Sequence, residues 1–122
     1  TERALATYDL SGLDILFLEN IGNLVCPAEF DTGAHLNIEL LSVPEGDDKP
    51  LKYPLMFTVS DIVLITKIDT TSFFNFDFKA AEERIHKLNP KAVILPVSAK
   101  TGEGMEKLSS LIKKQLDALR RK

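Results

Sequence analysis

A single cysteine among 122 residues leaves no partner for an internal disulfide, so the fold must rest on its core alone. Clustered positive charge is equally scarce. Fifteen Lys and Arg stand against 18 Asp and Glu for a formal charge of −3, and Arg120, Arg121 and Lys122 form the one run of three basic residues. Nucleic acids and anionic membranes both reward dense positive charge, so neither is expected as a partner. Cations at the end of a C-terminal helix account for the terminal run. No apolar stretch approaches the roughly 20 residues of a membrane span. The first residues carry no apolar signal core, and neither repeats nor low-complexity segments occur. These absences point to a soluble chain of the cytoplasm. With 44% hydrophobic residues, a single domain over 1–122 with one core is expected.

What is present is alternation. Nearly continuous apolar runs at 13–18, 38–43, 62–65 and 92–97, rich in Ile, Leu and Val, suit strands covered on both faces. Phe78, Ala81, Ile85 and Leu88 recur at helical spacing, with Asn75 or Asp77 as the cap and Asn89-Pro90 as the stop. Met105, Leu108, Leu111, Ile112, Leu116 and Leu119 repeat the pattern in a last helix, and Pro50 leads into a shorter one over 52–58. The expected class is α/β, with a mainly parallel sheet flanked by helices. Ligands of such sheets bind beyond the carboxyl ends of the strands, so the residues that follow each run are the candidates for a site.

After the third run stand Thr66-Lys67-Ile68-Asp69. Guanine presents N1–H and N2–H2 side by side, and one carboxylate can accept both. Adenine offers no such pair, so Asp69 would discriminate between the bases. The stem of Lys67 can cover the flat face of a base while its ammonium stays in water. Taken alone, this tetrapeptide is more simply a polar strand end entering a turn. After the fourth run come Ser98-Ala99-Lys100 and then Thr101-Gly102-Glu103-Gly104. Here a backbone N–H can reach the guanine O6, and the small Ala99 leaves room for the ring. A tripeptide is weak by itself, but the order strand, TKID, helix, strand, SAK resembles the base-reading half of a GTPase.

After the first run, Glu19-Asn20-Ile21-Gly22 leads into Asn23-Leu24-Val25-Cys26-Pro27. After the second, Pro44-Glu45-Gly46-Asp47-Asp48-Lys49-Pro50 runs on to Leu51-Lys52-Tyr53-Pro54. On their own these are turns, one of them acidic. Together with the two base-side motifs they resemble the HypB family of nickel-incorporation GTPases over essentially the whole chain.

The resemblance implies specific roles. Glu19 and Gly22 would face Mg2+ and the γ-phosphate. Thr66, Lys67 and Asp69 would hold the base, with Ser98, Ala99 and Lys100 closing over it. Thr66 departs from the asparagine usual in GTPases, which puts affinity, though not guanine preference, in doubt. Cys26 would bind Ni2+ or Zn2+, together with a Cys-His pair that the family carries upstream. Without the family match, a lone cysteine reads as a small hydrophobe. His35 and His86 read as solvated, and no catalytic residue is assigned. The resemblance further implies GTP or GDP with Mg2+ as cofactors, and a dimer as the working form. Its partners would be hydrogenase maturation proteins and the hydrogenase large subunit, served by delivery of nickel. A urease-type or generic accessory GTPase, and a non-catalytic metal-binding or dimerisation module, are the competing readings.

No Gly-x-x-x-x-Gly-Lys-Ser/Thr occurs in the sequence. The chain is therefore expected to be the C-terminal part of a P-loop GTPase fold, a partial G domain without its P-loop strand, and not to hydrolyse GTP alone. In the family arrangement that strand lies between the runs at 13–18 and 38–43. Two bare strand edges would be costly, so these runs are expected to pair directly, to recruit a strand from another chain, or to flank a strand supplied by the rest of a full-length protein.

Overall fold

The structure, a computed structural model, describes residues 2–20 and 32–121. Its sheet is three-stranded and parallel, in the order β1 (Ile38–Ser42), β2 (Ile62–Thr66), β3 (Val93–Pro96). Ile38 stands opposite Ile62 and Ser42 opposite Thr66, while on the other side Ile62 meets Val93 and Ile65 meets Pro96. β2 therefore has a neighbour on each edge, and its side chains alternate between two covered faces. Val63 and Ile65 point towards α3 (Pro54–Thr58) and α4 (Phe78–Leu88), where they pack with Leu41, Val43, Phe57, Ala81 and Ile85. Ile62 and Leu64 point the other way, towards Met105, Leu108 and Leu111 of α5 (Met105–Arg120). A strand buried on both faces must be apolar at every position, which is why 62–65 reads as an unbroken run.

The helices follow their sequence signals closely. Asp77 caps α4 by accepting from the Ala80 amide at 3.0 Å, and the helix ends where Asn89 precedes Pro90. Asn89 also reaches across to α3, its amide donating to the carbonyls of Phe57, Thr58 and Ser60 at 3.3, 3.2 and 2.7 Å. The first two are carbonyls that a helix C-terminus leaves without internal donors, and Ser60 lies just beyond the end of α3. The helix expected over 52–58 is instead two short ones, α2 (Lys49–Lys52) and α3, with Tyr53 non-helical between them. Pro54 is the cause, because its ring crowds a helical residue before it. A single helical turn, α1 (Glu2–Leu5), opens the described chain.

The expected strand at 13–18 and its direct pairing with the run at 38–43 are not found. Among the described residues the ladder of β1 runs to β2. Ile15, Leu16 and Leu18 are about half exposed and Phe17 is 74% exposed. An apolar run becomes a strand only where a neighbour exchanges backbone hydrogen bonds with it, and this one has no such neighbour among the described residues. Among the described residues, an exposed ion pair joins Asp14 to Arg120 of α5. His86, read as solvated, is exposed but places Nε2 3.2 Å from the Ala92 carbonyl. Among the described residues no helix is long and apolar enough to cross a membrane.

β1 carries an unusual core residue. Glu39 shares its face with Leu41 and is 5% exposed. Burial, reinforced by the charge of Glu45, pushes its carboxyl from 4.5 up to about 7. The folded state therefore holds a proton that the unfolded chain releases near 4.5, and this contribution is lost as pH rises through about 7. Glu39→Gln should leave the urea midpoint nearly unchanged at pH 4.5. At pH 8 it should raise stability, by at most about 3 kcal/mol. Equal effects at both pH values would show that Glu39 is not desolvated.

Candidate functional site

Because the strands are parallel, Ser42, Thr66 and Pro96 end on one side of the sheet, and the segments that follow them gather there. Thr66 is half-buried at the tip of β2. Lys67 then turns the chain, with φ 58° and ψ 37°, the single positive φ outside glycine among the described residues. That conformation costs an L-residue about 1–2 kcal/mol. Local bonds hold it: the Lys67 carbonyl accepts from the Thr70 amide at 2.9 Å and from Thr70 Oγ1 at 2.6 Å. The reversal starts a 3-10 helix, Ile68–Phe73, and brings the Ile68 amide to the Val97 carbonyl at 3.3 Å.

The two base-side motifs meet at Asp69 and Ser98. Ser98 is fully buried, and its Oγ donates to Asp69 Oδ1 at 2.8 Å while accepting from the Thr101 amide at 3.1 Å. Asp69 Oδ2 has no partner among the described residues, and the residue itself is exposed. A carboxylate fixed through one oxygen with the other open is a ready acceptor for a donor pair such as guanine N1–H and N2–H2. Ala99 and Lys100 are exposed in the turn that the Gly102 amide closes on the Ser98 carbonyl at 2.8 Å. Lys67 is exposed as well. Thr66, Lys67, Asp69, Ser98, Ala99 and Lys100 thus lie on two adjoining turns at one end of the sheet.

The remaining site residues are not brought to this cluster. Glu19 is exposed in irregular chain, and no described contact links it to the base-side turns. Gly22 and Cys26 lie outside the described residues. Among the described residues no three His, Cys, Asp or Glu side chains gather as a metal-binding group.

Sequence reasoning left two glycines of this site without a role. Gly102 and Gly104 adopt φ of 85° and 77° and return the chain from Ser98 into α5. Gly104 is the tighter of the two, since an added Cβ would lie 2.3 Å from the Pro96 carbonyl oxygen, whereas Gly102 faces open space. The signal was present as paired glycines between a strand and a helix.

A family model described as CobW/HypB/UreG, nucleotide-binding domain, matches residues 2–96. The chain belongs to this family of nucleotide-binding domains. Among its relatives, the hydrogenase maturation factor HypB of Azotobacter chroococcum is 46% identical over 111 residues, covering 89% of this chain and 36% of the relative. The hydrogenase/urease maturation factor HypB of Helicobacter pylori is 48% identical over 99 residues, covering 81% and 41%. Two solved structures agree in fold. HypB from Archaeoglobus fulgidus superposes with a TM-score of 0.86 at 33% identity, over 93% of this chain and 55% of that one. HypB from Helicobacter pylori in complex with nickel gives 0.77 at 44% identity, over 80% and 46%. The chain spans well under half the length of these two curated relatives.

The glycine pair yields a graded stability test. Gly102→Ala should cost about 1–2 kcal/mol from its positive φ alone. Gly104→Ala adds a backbone clash and should cost clearly more, at least about 3 kcal/mol. Urea denaturation of both variants measures the order, and equal losses would contradict the close approach at Pro96.

Proposed function

We propose that this chain is the base-reading part of the G domain of a GTP-hydrolysing nickel metallochaperone that serves NiFe-hydrogenase maturation. The observation that carries the reading is the Ser98–Asp69 bond, which presents one fixed and one open carboxylate oxygen beside Lys67 at the carboxyl ends of a parallel sheet. Family membership and the names of the HypB relatives support it. Asp69 accepts from the guanine edge, the stem of Lys67 covers one ring face, and the turn at Ala99 closes over the base. Thr66 reaches less far than an asparagine would, so affinity is lower while specificity stays with Asp69. Glu19 and Gly22 serve the phosphate end, where bound Mg2+ neutralises phosphate charge. Cys26 contributes a thiolate to a nickel or zinc site, with the other ligands supplied by segments beyond this chain or by a second copy in a cytoplasmic dimer. Hydrolysis belongs to the complete protein, since this sequence holds no phosphate loop of its own.

A second client has a specific observation in its favour. The Helicobacter relatives are named hydrogenase/urease maturation factors, so urease is the alternative recipient of the metal. Restoration of hydrogenase against urease activity in deletion strains separates the two.

In the full-length protein, Asp69→Asn should weaken GTP binding by about 10- to 100-fold and improve binding of xanthosine triphosphate. Xanthine carries a carbonyl where guanine has its N2 amine, and an amide donor suits it. Competition binding with the two nucleotides tests this, and an unchanged preference would remove Asp69 from the base site. Cys26→Ser should abolish tight nickel or zinc binding, because serine is a far poorer soft-metal ligand than a thiolate, and should leave guanine affinity intact. Equilibrium dialysis with each metal reads the outcome. Undiminished metal affinity would show that Cys26 is not a ligand.

A further inference from the structure

The acidic turn after β1 is held more firmly than an exposed loop requires. Glu45 Oε2 accepts from both the amide and the hydroxyl of Ser42, each at 2.8 Å, and folds the 3-10 turn Val43–Glu45 back on the strand end. Gly46, at φ 100°, redirects the chain. Asp47 then makes three connections to one helix. Its Oδ2 accepts from the amide of Asp77, the cap of α4, at 2.7 Å. Its Oδ1 and its carbonyl accept from Arg84 Nη1 at 3.0 and 2.8 Å. The Arg84 and Asp47 side chains are 31% and 23% exposed, well shielded from the water that weakens most surface pairs.

This turn lies against the base-side segment. Val43–Glu45 packs on the 3-10 helix Ile68–Phe73, which carries Asp69, and Val43 shares a buried cluster with Ile65 and Ala81 against which Ile68 rests. The stretch between Asp69 and α4 is thus bounded at one end by Ser98 and at the other by Asp47, which grips the helix cap. We propose that Arg84 is a positioning residue for guanine recognition: through Asp47 it fixes the turn on which the Asp69 segment leans. Arg84 itself does not touch the base. The inference rests on the base-site reading above and adds to it a support from outside the two motifs.

Two measurements test it. In this chain, amide exchange of Ile68 and Thr70, whose N–H groups donate to Val97 and Lys67, should quicken about tenfold in Arg84→Ala. The Val93 amide, which donates to Asp61 at the far end of the sheet, should not change. In the full-length protein, Arg84→Ala should raise the Kd for mant-GDP about tenfold with the guanine-over-xanthine preference intact, and Arg84→Lys should recover part of the loss. Uniform acceleration at all three amides, or an unchanged Kd, would reduce Arg84 to a general stabiliser and overturn the proposal. Asp69→Asn is the separate control. If it leaves the base preference untouched, the base site itself is misplaced, whereas a shifted preference beside a silent Arg84→Ala defeats only the positioning role.

Discussion

Burial of β2 on both faces and along both edges is the constraint from which the rest of the molecule is arranged. Ile62, Val63, Leu64 and Ile65 are each 5% exposed or less. Each buried aliphatic side chain contributes about 1.5–3 kcal/mol, so no rotation or one-residue slip of this strand is tolerable. α3 and α4 must lie on one side and α5 on the other, because the alternating side chains leave each layer a distinct apolar surface. Thr66 then emerges at a fixed point. The reversal at Lys67 can afford its unfavourable backbone geometry because the strand before it cannot move to relieve it.

From that fixed point the site is assembled by polar bonds rather than by packing. Ser98 is buried and would be costly without partners, yet its single hydroxyl serves both an acceptor and a donor. In doing so it joins the turns after β2 and β3 into one surface. The carboxylate it orients stays open to water through its other oxygen. In the proposed base-reading role, a carboxylate held in this way loses little further freedom when a ligand arrives, which is how preorganisation favours binding. The acidic turn after β1 brings a third strand end into the same arrangement.

How much of this was legible in the sequence depended on range. The run at 62–65 gave β2 because a doubly covered strand has no polar positions to blur the pattern, and the run at 92–97 gave β3 as an apolar edge strand, although Val93 is 41% exposed. The caps at Asp77 and Asn89 were legible because capping is a local matter. Thr66 to Asp69 and Ser98 to Lys100 were recognisable as motifs, and the structure places them side by side. The run at 13–18 misled because apolar content says nothing about whether a neighbouring strand exists. Tyr53 was misassigned although Pro54 signalled the break. The link between Asp47 and Arg84 spans 37 residues, and no local pattern announces it. The left-handed Lys67 was hidden for another reason, since lysine carries none of the glycine or asparagine preference that usually marks such a turn.

The bridge from Asn89 to the end of α3 has a consequence for the chemical lifetime of the molecule. Three carbonyls depend on one side-chain amide, and its conversion to a carboxylate would set a negative charge against three negative dipole ends. Asparagine ordinarily ages by attack of the following residue's backbone nitrogen on its side chain, with loss of ammonia through a cyclic imide. Here the following residue is Pro90, whose nitrogen carries no hydrogen and lies locked in a ring. The residue that stops α4 therefore also closes the usual route by which Asn89 would deamidate, and the bridge is protected against slow spontaneous decay by the same ring that ends the helix.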